Sequence, residues 1–308
     1  MKTEFYNEVK DDTKIIINPS ESIKDGIWTG AKGISSLAGG QTSVSGIVSG
    51  FPFTKVFKLG MNCVKGQTVF LYTDGFIYST DAIQTSMVTG YVGIITDISS
   101  MRANVQSFGI TGVLKNLTAQ SIYYLSNATH SEDVSFTNLT DNRIILSLNS
   151  EGSYQSFTTG NVDHISQIGL NLYTGGGTAD RPITVRIRTG TGTGGDLIGT
   201  ATATPTINAT PTFYIFTLNI PAIVSSNTVY SISAFYSDSS GSGIPWWSEQ
   251  TTTDGYAGGR NNESASYDCG FKTFYSTGRG MIGTSAGTVS KIIGFATDAK
   301  SLTIKDTL

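Results

Sequence analysis

The sequence is poor in charge: charged residues make up 14% of the chain, against about 25% in an average domain. The formal net charge is only −3 at pH 7, and the chain has no basic block. A protein that binds nucleic acid through its phosphates needs clustered Lys and Arg, so nucleic acid is not an expected partner. No apolar run approaches the roughly 20 residues that cross a bilayer, so membrane insertion is not expected either.

Cysteine and histidine are also scarce, which limits metal and covalent chemistry. Cys63 and Cys269 lie far apart and neither has a CxxC partner, so we expect no disulfide framework and no cysteine zinc site. His130 and His164 are the only histidines, and neither stands at paired-ligand spacing. A histidine metal site or a Ser-His-Asp triad has little to build on, and we predict no metal, no cofactor and no catalytic residue.

The N-terminal sequence MKTEFYNEVKDD is polar and lacks the apolar segment of a secretory signal peptide, so export by such a peptide is not expected. Glycine is abundant, with 36 residues, together with Thr, Ser and Asn. This mixture is typical of short strands joined by tight turns, as in surface adhesins, and predicts an all-β fold. A virus particle that assembles inside its host and leaves by lysis would combine this composition with the lack of a signal peptide.

The beginning of the chain divides into an arm and a small β-domain. Residues 1–50 end in the run GAKGISSLAGGQTSVSGIVSG and are predicted to form a docking arm that orders against a partner, with a free linker as the alternative. From residue 51 the pattern is antiparallel β. Segments 69–72 and 76–78 are predicted to form a hairpin around an Asp-Gly turn.

A short internal repeat links this small domain to the end of the chain. VGIITDISSM at 92–101 and IGFATDAKSL at 293–302 share Gly, Thr, Asp and Ser at matching positions. We therefore predict a discontinuous, antiparallel small β-domain, formed by 51–135 plus 278–308, for particle attachment or oligomerisation. The segment between would be an insertion, which domains tolerate when its two ends lie close together.

The predicted insertion, 144–277, contains a series of short strands. Hydrophobic residues alternate with polar ones at 168–172 and 183–187, where Arg186 and Arg188 point the other way. About eight such strands fit a two-sheet jelly-roll β-sandwich.

Two further patterns bear on phosphate binding and on glycoside cleavage. TGTGTGGD at 189–196 follows a strand, but no helix follows it, so we interpret it as a mobile inter-strand loop and not as a phosphate-binding loop. Glycoside cleavage needs only two carboxylates, and no spacing singles out a pair. The carboxylates considered are Glu151, Glu249, Asp254, Glu263 and Asp268.

Two stretches resemble known types of phage protein. Residues 66–126, from GQTVFL to YYLS, with the closing KIIGFATDAKSLTIK at 291–305, resemble the small β-domain of bacteriophage decoration and fibre proteins. Here the inserted segment separates the two parts, which departs from the usual pattern. The insertion resembles a jelly-roll module of phage and bacterial surface proteins, through QSFTT, ITVRIRTG, YAGGR and DCGFKTFY. That resemblance implies carbohydrate binding.

The stretch IPWWSEQTTTDGYAGGR at 244–260 holds the predicted ligand site. Aromatic rings stack on the apolar faces of sugars, while carboxylates, amides and Arg bond the hydroxyls. The predicted glycan-binding residues are Trp246, Trp247, Glu249, Asp254, Tyr256 and Arg260. Because successive strand side chains face opposite ways, one tryptophan is expected to be structural. Whether the other faces a ligand or covers a trimer contact stays open.

The sequence thus predicts a non-enzymatic protein of the bacteriophage virion surface, made in the host cytoplasm. It would be a fibre, spike or head-decoration subunit that projects its jelly roll outward. The expected partners are capsid or tail proteins, further copies in a homotrimer, and host-surface or environmental glycan. A purely structural decoration protein and a polysaccharide depolymerase are the two alternatives.

Overall fold

The structure, a computed structural model, describes most of the chain. The described residues are 23–24, 27–28, 53–114, 116–139, 142–237, 243–251, 256–257, 259–261, 267–296 and 298–304. They form 25 strands and one helix of five residues, which confirms the predicted all-β fold. Strands β1 (Ile23–Lys24) and β2 (Ile27–Trp28) pair with each other. The rest of the predicted arm lies outside the described residues.

The other elements fall into three groups along the chain. The first comprises β3 (Phe53–Leu59), β4 (Thr68–Leu71), β5 (Phe76–Ser79), α1 (Thr85–Thr89), β6 (Tyr91–Ser99), β7 (Arg102–Thr111) and β8 (Ile122–Leu125). The second begins with β9 (Thr129–Phe136), β10 (Asn142–Ile145), β11 (Ser147–Leu148), β12 (Ser153–Thr158), β13 (His164–Thr174), β14 (Ala179–Asp180) and β15 (Ile183–Thr189). It continues with β16 (Leu197–Ala203), β17 (Thr206–Ile207), β18 (Thr212–Ile223), β19 (Val229–Tyr236), β20 (Pro245–Gln250), β21 (Asp268–Cys269) and β22 (Phe271–Thr277). The third is β23 (Ile282–Gly283), β24 (Ile292–Ala296) and β25 (Leu302–Ile304).

A nine-stranded sheet contains strands from the first and third groups. Its order is β23-β8-β24-β25-β7-β3-β5-β4-β6, and β6 also pairs with β7. That additional pairing closes β7, β3, β5, β4 and β6 into a ring, and Val69, Phe70, Ile77 and Val105 pack together as its core. β4 and β5 form the predicted hairpin, in which Gly75 takes the positive φ of 82° that favours glycine.

The internal repeat corresponds to two hairpins of this sheet. Gly93 lies in β6, which pairs with β7, and Gly294 lies in β24, which pairs with β25. A Cβ at Gly93 would overlap the carbonyl oxygen of Gln106, and a Cβ at Gly294 would overlap that of Thr303. Each glycine therefore allows a close approach to the second strand of its own hairpin.

The second group of strands forms a β-sandwich of two sheets. Sheet I has seven strands in the order β10-β20-β13-β22-β9, with β18 also paired to β13 and β21 to β20. Sheet II has five strands in the order β11-β19-β15-β16, with β12 also paired to β19. Ile168, Leu170 and Leu172 of sheet I share one buried core with Val185 and Ile187 of sheet II. The two alternating patterns in the sequence are thus the inner sides of facing sheets.

Strand β9 belongs to the sandwich, although the predicted domain boundary at residue 135 assigns most of it to the small β-domain. It pairs with β22 in sheet I, from Thr129 opposite Thr277 to Phe136 opposite Phe271. Phe136 is its only buried residue, so its sequence THSEDVSF lacks the alternation that marks a half-buried strand. Backbone pairing at the sheet edge positions β9, and the hydrophobic pattern does not record that pairing.

The chain crosses between the nine-stranded sheet and the sandwich twice, and the crossings lie side by side. The Ser126 N–H donates to the Met281 carbonyl at 3.1 Å. Beside them, the buried Asp81 carboxylate lies 3.1 Å from His130 Nε2 and 3.7 Å from Arg279 Nη1. Burial raises the pKa of Asp81, but these partners outweigh burial and the pKa is lowered. The junction thus holds a buried, charged cluster.

Candidate functional site

The two adjacent tryptophans lie on opposite sides of sheet I. Both are in β20, where Trp247 pairs with Leu172 and Trp246 pairs with Tyr173 of β13. Trp247 is fully buried in the sandwich core, and its Nε1–H donates to the Gly270 carbonyl at 2.7 Å. A ligand cannot reach this indole, so the structure corrects the predicted ligand-binding role of Trp247 to a structural one.

Trp246 lies on the outer side of the sheet and is partly exposed. The guanidinium carbon of Arg143 lies 3.9 Å from the centre of the indole. The ring of Tyr173 meets the indole edge-on, with 5.4 Å between ring centres. A side chain at Gly175 would overlap the indole, so this glycine leaves room for it. Trp246 is thus held between a cation, an aromatic edge and a glycine loop.

Glu249 and Tyr256 belong to the interior. Glu249 is fully buried and accepts a hydrogen bond from Asn261 Nδ2. Tyr256 packs edge-on against Phe271, with 5.1 Å between ring centres, and its hydroxyl accepts from the Thr158 N–H at 3.1 Å. Burial raises the pKa of Tyr256. The predicted ligand contact of Glu249 is therefore corrected to a structural role, while that of Tyr256, which is partly buried, stays a prediction.

Arg260 is exposed, but it lies beside sheet II. Its N–H donates to Ser156 Oγ at 2.8 Å, and its carbonyl accepts from the Ser156 N–H at 2.8 Å. A Cβ at Gly259 would overlap the Ser156 carbonyl oxygen, so this glycine permits a close approach to β12. Asp254 lies outside the described residues.

The predicted set is therefore not one site. After β20 the chain leaves sheet I, reaches β12 of sheet II at the bridge between Asn261 and Gln155, and returns to sheet I at β21. Residues within a 15-residue stretch are thus distributed between the core, the outer side of sheet I and the edge of sheet II. Among the members of the set that the structure describes, Trp246 alone lies on the outer side of sheet I.

Other strands of sheet I also place aromatic and cationic side chains on its outer side, and we call this surface the outer aromatic face. Its residues are Arg143, Tyr173, Phe213, Trp246, Lys272 and Phe274, each at least partly exposed. Arg143 and Tyr173 contact Trp246, and the Lys272 Nζ lies 5.2 Å from the centre of the Phe213 ring. The sequence did not reveal the other five residues of this face, although Tyr173 and Phe213 stand at outward positions of their strands.

Gly169 lies on this face and is covered by the side chains of its neighbours. It lies opposite Ile215 of β18 and Lys272 of β22. A Cβ at this position would lie 3.2 Å from side-chain atoms of both neighbours. Ile215 is itself 46% exposed. The outer aromatic face therefore combines apolar surface and two cations.

The carboxylates considered for glycoside cleavage are engaged or buried wherever they are described. Glu249 and Asp268 are fully buried. Both oxygens of Glu151 are bound by arginines. Asp254 and Glu263 lie outside the described residues. A hydrolase needs an acid and a second carboxylate on either side of its substrate, and none of the three described carboxylates offers that arrangement.

His130 links a serine to an aspartate, contrary to the expectation from its sequence position. Its Nδ1 lies 3.0 Å from Ser166 Oγ, and its Nε2 lies 3.1 Å from Asp81. Ser166 is almost fully buried, and its hydroxyl donates to the Phe274 carbonyl at 3.1 Å. This hydroxyl is closed to substrate, so we interpret the chain of bonds as structural.

His164 makes a second link of this kind. Its Nδ1 lies 2.6 Å from Asp163, and its Nε2 lies 3.0 Å from Ser276 Oγ, which is the connectivity of a catalytic triad. However, the Ser276 N–H also donates to Nε2 at 3.2 Å. The adjoining cleft of about 570 Å³ is lined by Glu132 and Asp133, whose negative charge opposes an oxyanion. We assign His164 a structural role.

No known protein family matches the chain, and no curated protein is detectably similar to it. The resemblances to phage decoration proteins and jelly-roll modules therefore stay hypotheses. Within the described ranges no helix is long and apolar enough to span a membrane. The same ranges contain no group of three or more His, Cys, Asp or Glu arranged to hold a metal ion.

Proposed function

We propose that this chain is a non-enzymatic protein of the bacteriophage virion surface whose β-sandwich binds carbohydrate on the outer aromatic face. The observation that carries the binding proposal is the partly exposed indole of Trp246, which lies 3.9 Å from the Arg143 guanidinium carbon and 5.4 Å from the Tyr173 ring. Exposed apolar surface that is contiguous and bordered by polar side chains is typical of interaction sites.

The chemistry of this face suits a sugar. In this proposal a pyranose ring packs against the part of the indole that Arg143 leaves exposed, and the guanidinium stacked over the indole offers N–H donors to hydroxyls. Lys272 is partly neutralised by Glu132, whose carboxylate lies 2.9 Å from Nζ. The face therefore combines aromatic surface with the Arg143 cation, a chemistry that suits the ring and the hydroxyls of a sugar.

The virion part of the proposal rests on the composition and on the sequence resemblances. In this proposal the nine-stranded sheet and the arm attach to capsid or tail proteins or form a homotrimer, and the sandwich projects outward. Mass spectrometry of purified particles, together with antibody labelling in electron microscopy, tests the location. A chain that is absent from purified particles contradicts the virion assignment.

Binding is tested with a glycan array that includes capsular and cell-wall polysaccharides. The wild-type chain is expected to bind a subset, and Trp246→Ala is expected to lose at least tenfold in affinity. Arg260→Ala is the matched control, because Arg260 is an exposed residue of the same sequence stretch that lies beside sheet II. Equal losses in both variants, or no glycan bound at all, would contradict the site.

A further inference from the structure

A second cleft lies on the outer side of sheet II, on the face of the sandwich away from Trp246. Its volume is about 480 Å³, which is within the usual range for small-molecule sites. Its lining residues are Asn149, Ser150, Glu151, Gly152, Arg186, Thr193 and Phe235. The loop between β11 and β12 and the glycine-rich loop between β15 and β16 supply its walls, and β15 and β19 supply its floor.

Hydrogen bonds fix the glycine-rich loop at 189–196, whereas the sequence predicts a mobile loop there. Arg188 Nη1 donates to the Gly195 carbonyl at 2.8 Å, and Ser231 Oγ donates to the Gly192 carbonyl. The Thr189 N–H donates to the Asp196 carbonyl at 3.0 Å. A cleft with hydrogen-bonded walls exists before any ligand arrives, which lowers the entropic cost of binding.

Glu151 is saturated by the protein. Its Oε2 accepts from Arg188 Nε at 2.8 Å and from Ser233 Oγ at 2.7 Å. Its Oε1 accepts from Arg188 Nη2 at 2.8 Å and also from Arg186 Nη1. Four bonds fill the acceptor positions of a carboxylate. Glu151 therefore has no capacity left for a ligand, and its role is to hold the two guanidinium groups.

The two arginines differ in how far the protein satisfies them. All three nitrogens of Arg188 are hydrogen-bonded, to Glu151 and to Gly195. Arg186 is 33% exposed and bonds Glu151 through Nη1, while its Nε has no hydrogen-bond partner among the described residues. Its guanidinium carbon lies 5.0 Å from the centre of the Phe235 ring, which fixes the plane of the group. Arg186 is thus oriented and incompletely bonded.

The charges in this cluster do not cancel. Two guanidinium groups meet one carboxylate, which leaves one positive charge at the cleft, carried by the more exposed Arg186. Nε of Arg186 is buried, but the Nη N–H groups that Glu151 does not use can donate to the carboxylate of a ligand. Asn149, Ser150 and Thr193 on the walls add amide and hydroxyl groups, which suit the hydroxyls of a sugar ring.

We propose that this cleft is a second carbohydrate site, which binds a carboxylate-bearing sugar unit such as a hexuronic acid through Arg186. It is independent of the outer aromatic face, because no residue is shared between the two. Methyl β-D-glucuronide and methyl β-D-glucoside form a matched pair of probes, since they differ only in the carboxylate. Calorimetric titration of the full chain with each is expected to show at least tenfold tighter binding of the glucuronide.

Three variants locate that binding. Arg186→Gln is expected to lose at least tenfold in glucuronide affinity, and Arg186→Lys is expected to lose less, because it keeps the charge and loses the planar fork. Since Arg186 variants also disturb Glu151, Thr193→Trp provides a second probe that fills the cleft from its wall and leaves the ion cluster intact. Arg102→Gln is the matched control, because Arg102 is an exposed arginine of β7 that belongs to neither proposed site.

Equal affinity for glucuronide and glucoside, or glucuronide binding that survives both Arg186→Gln and Thr193→Trp, would overturn the proposal, as would no binding at millimolar concentrations. Trp246→Ala is expected to leave glucuronide affinity unchanged and to abolish binding at the outer aromatic face. Failure of one site is therefore distinguishable from failure of the other.

Discussion

Trp246 and Trp247 are neighbours in the chain, yet the Arg143 guanidinium covers the first on the outer side of sheet I and the Gly270 carbonyl accepts a hydrogen bond from the second inside the core. The alternation of strand side chains separates two indoles that the composition treats as alike. One indole is buried in the core and the other is partly exposed, and the two positions make different predictions.

Trp247→Ala is expected to destabilise the sandwich by about 3–5 kcal/mol, the cost of removing a large aromatic side chain from a packed core. Trp246→Ala is expected to cost about 1 kcal/mol or less, because the indole is partly exposed. Urea denaturation followed by circular dichroism measures both. Similar costs for the two variants would contradict the assignment of the two sides.

Gly259→Ala is expected to destabilise the fold by about 1–3 kcal/mol, because the added methyl group would overlap the Ser156 carbonyl oxygen and displace the chain from β12. Gly194→Ala is the matched control, since nothing lies within 4 Å of the position that its Cβ would occupy. Thermal unfolding measures both. A neutral Gly259→Ala would show that the excursion after β20 does not depend on this contact.

The stability contributed by Glu151 is expected to depend on pH. Hydrogen bonds from Arg188, with those from Ser233 and Arg186, lower its pKa from 4.5 to about 2 despite partial burial. Because the folded pKa is below the unfolded value, the stabilisation is complete above pH about 4.5 and is lost as the pH falls towards 2. The difference in melting temperature between wild type and Glu151→Gln should therefore shrink over that interval, and a constant difference would contradict the ion cluster.

Arg279→Met is expected to cost about 3–5 kcal/mol, because it removes a buried cation near the buried Asp81 carboxylate at the junction of the two parts. Lys272→Met tests an ion pair with Glu132 in which both side chains are partly exposed, and should cost about 1 kcal/mol or less. Denaturant titrations of both variants provide the comparison. Equal costs would indicate that the charged junction does not contribute to stability.

The local patterns predicted much of the fold, because hydrophobic alternation is a property of each strand. It identified the inner sides of β13 and β15, and an Asp-Gly pair identified the hairpin of β4 and β5. It did not reveal β9, in which only Phe136 is buried. The sequence repeat identified Gly93 and Gly294 as matching positions. Why both are glycine became clear only from the strand pairing, in which each allows a close approach within its hairpin.

The site was less predictable, because its residues meet through non-local pairing. Arg143, Tyr173 and Phe213 join Trp246 from three other strands. Conversely, Arg260 is close to Trp246 in sequence but is bonded to Ser156 of sheet II. Sequence spacing does not show that the intervening chain passes from one sheet to the other. The residue types of the stretch correctly indicated an exposed aromatic residue, but their closeness in sequence did not place them in one site.

The most direct test of the central claim is the indole N–H signal of Trp246 in ¹H–¹⁵N spectra during titration with a glycan that the array identifies. The chain has three tryptophans, so single Trp→Phe variants can assign every indole signal. The account predicts that the Trp246 signal shifts in a saturable manner while the buried Trp247 signal stays in place. Saturable glycan binding that leaves the Trp246 signal unmoved would contradict it.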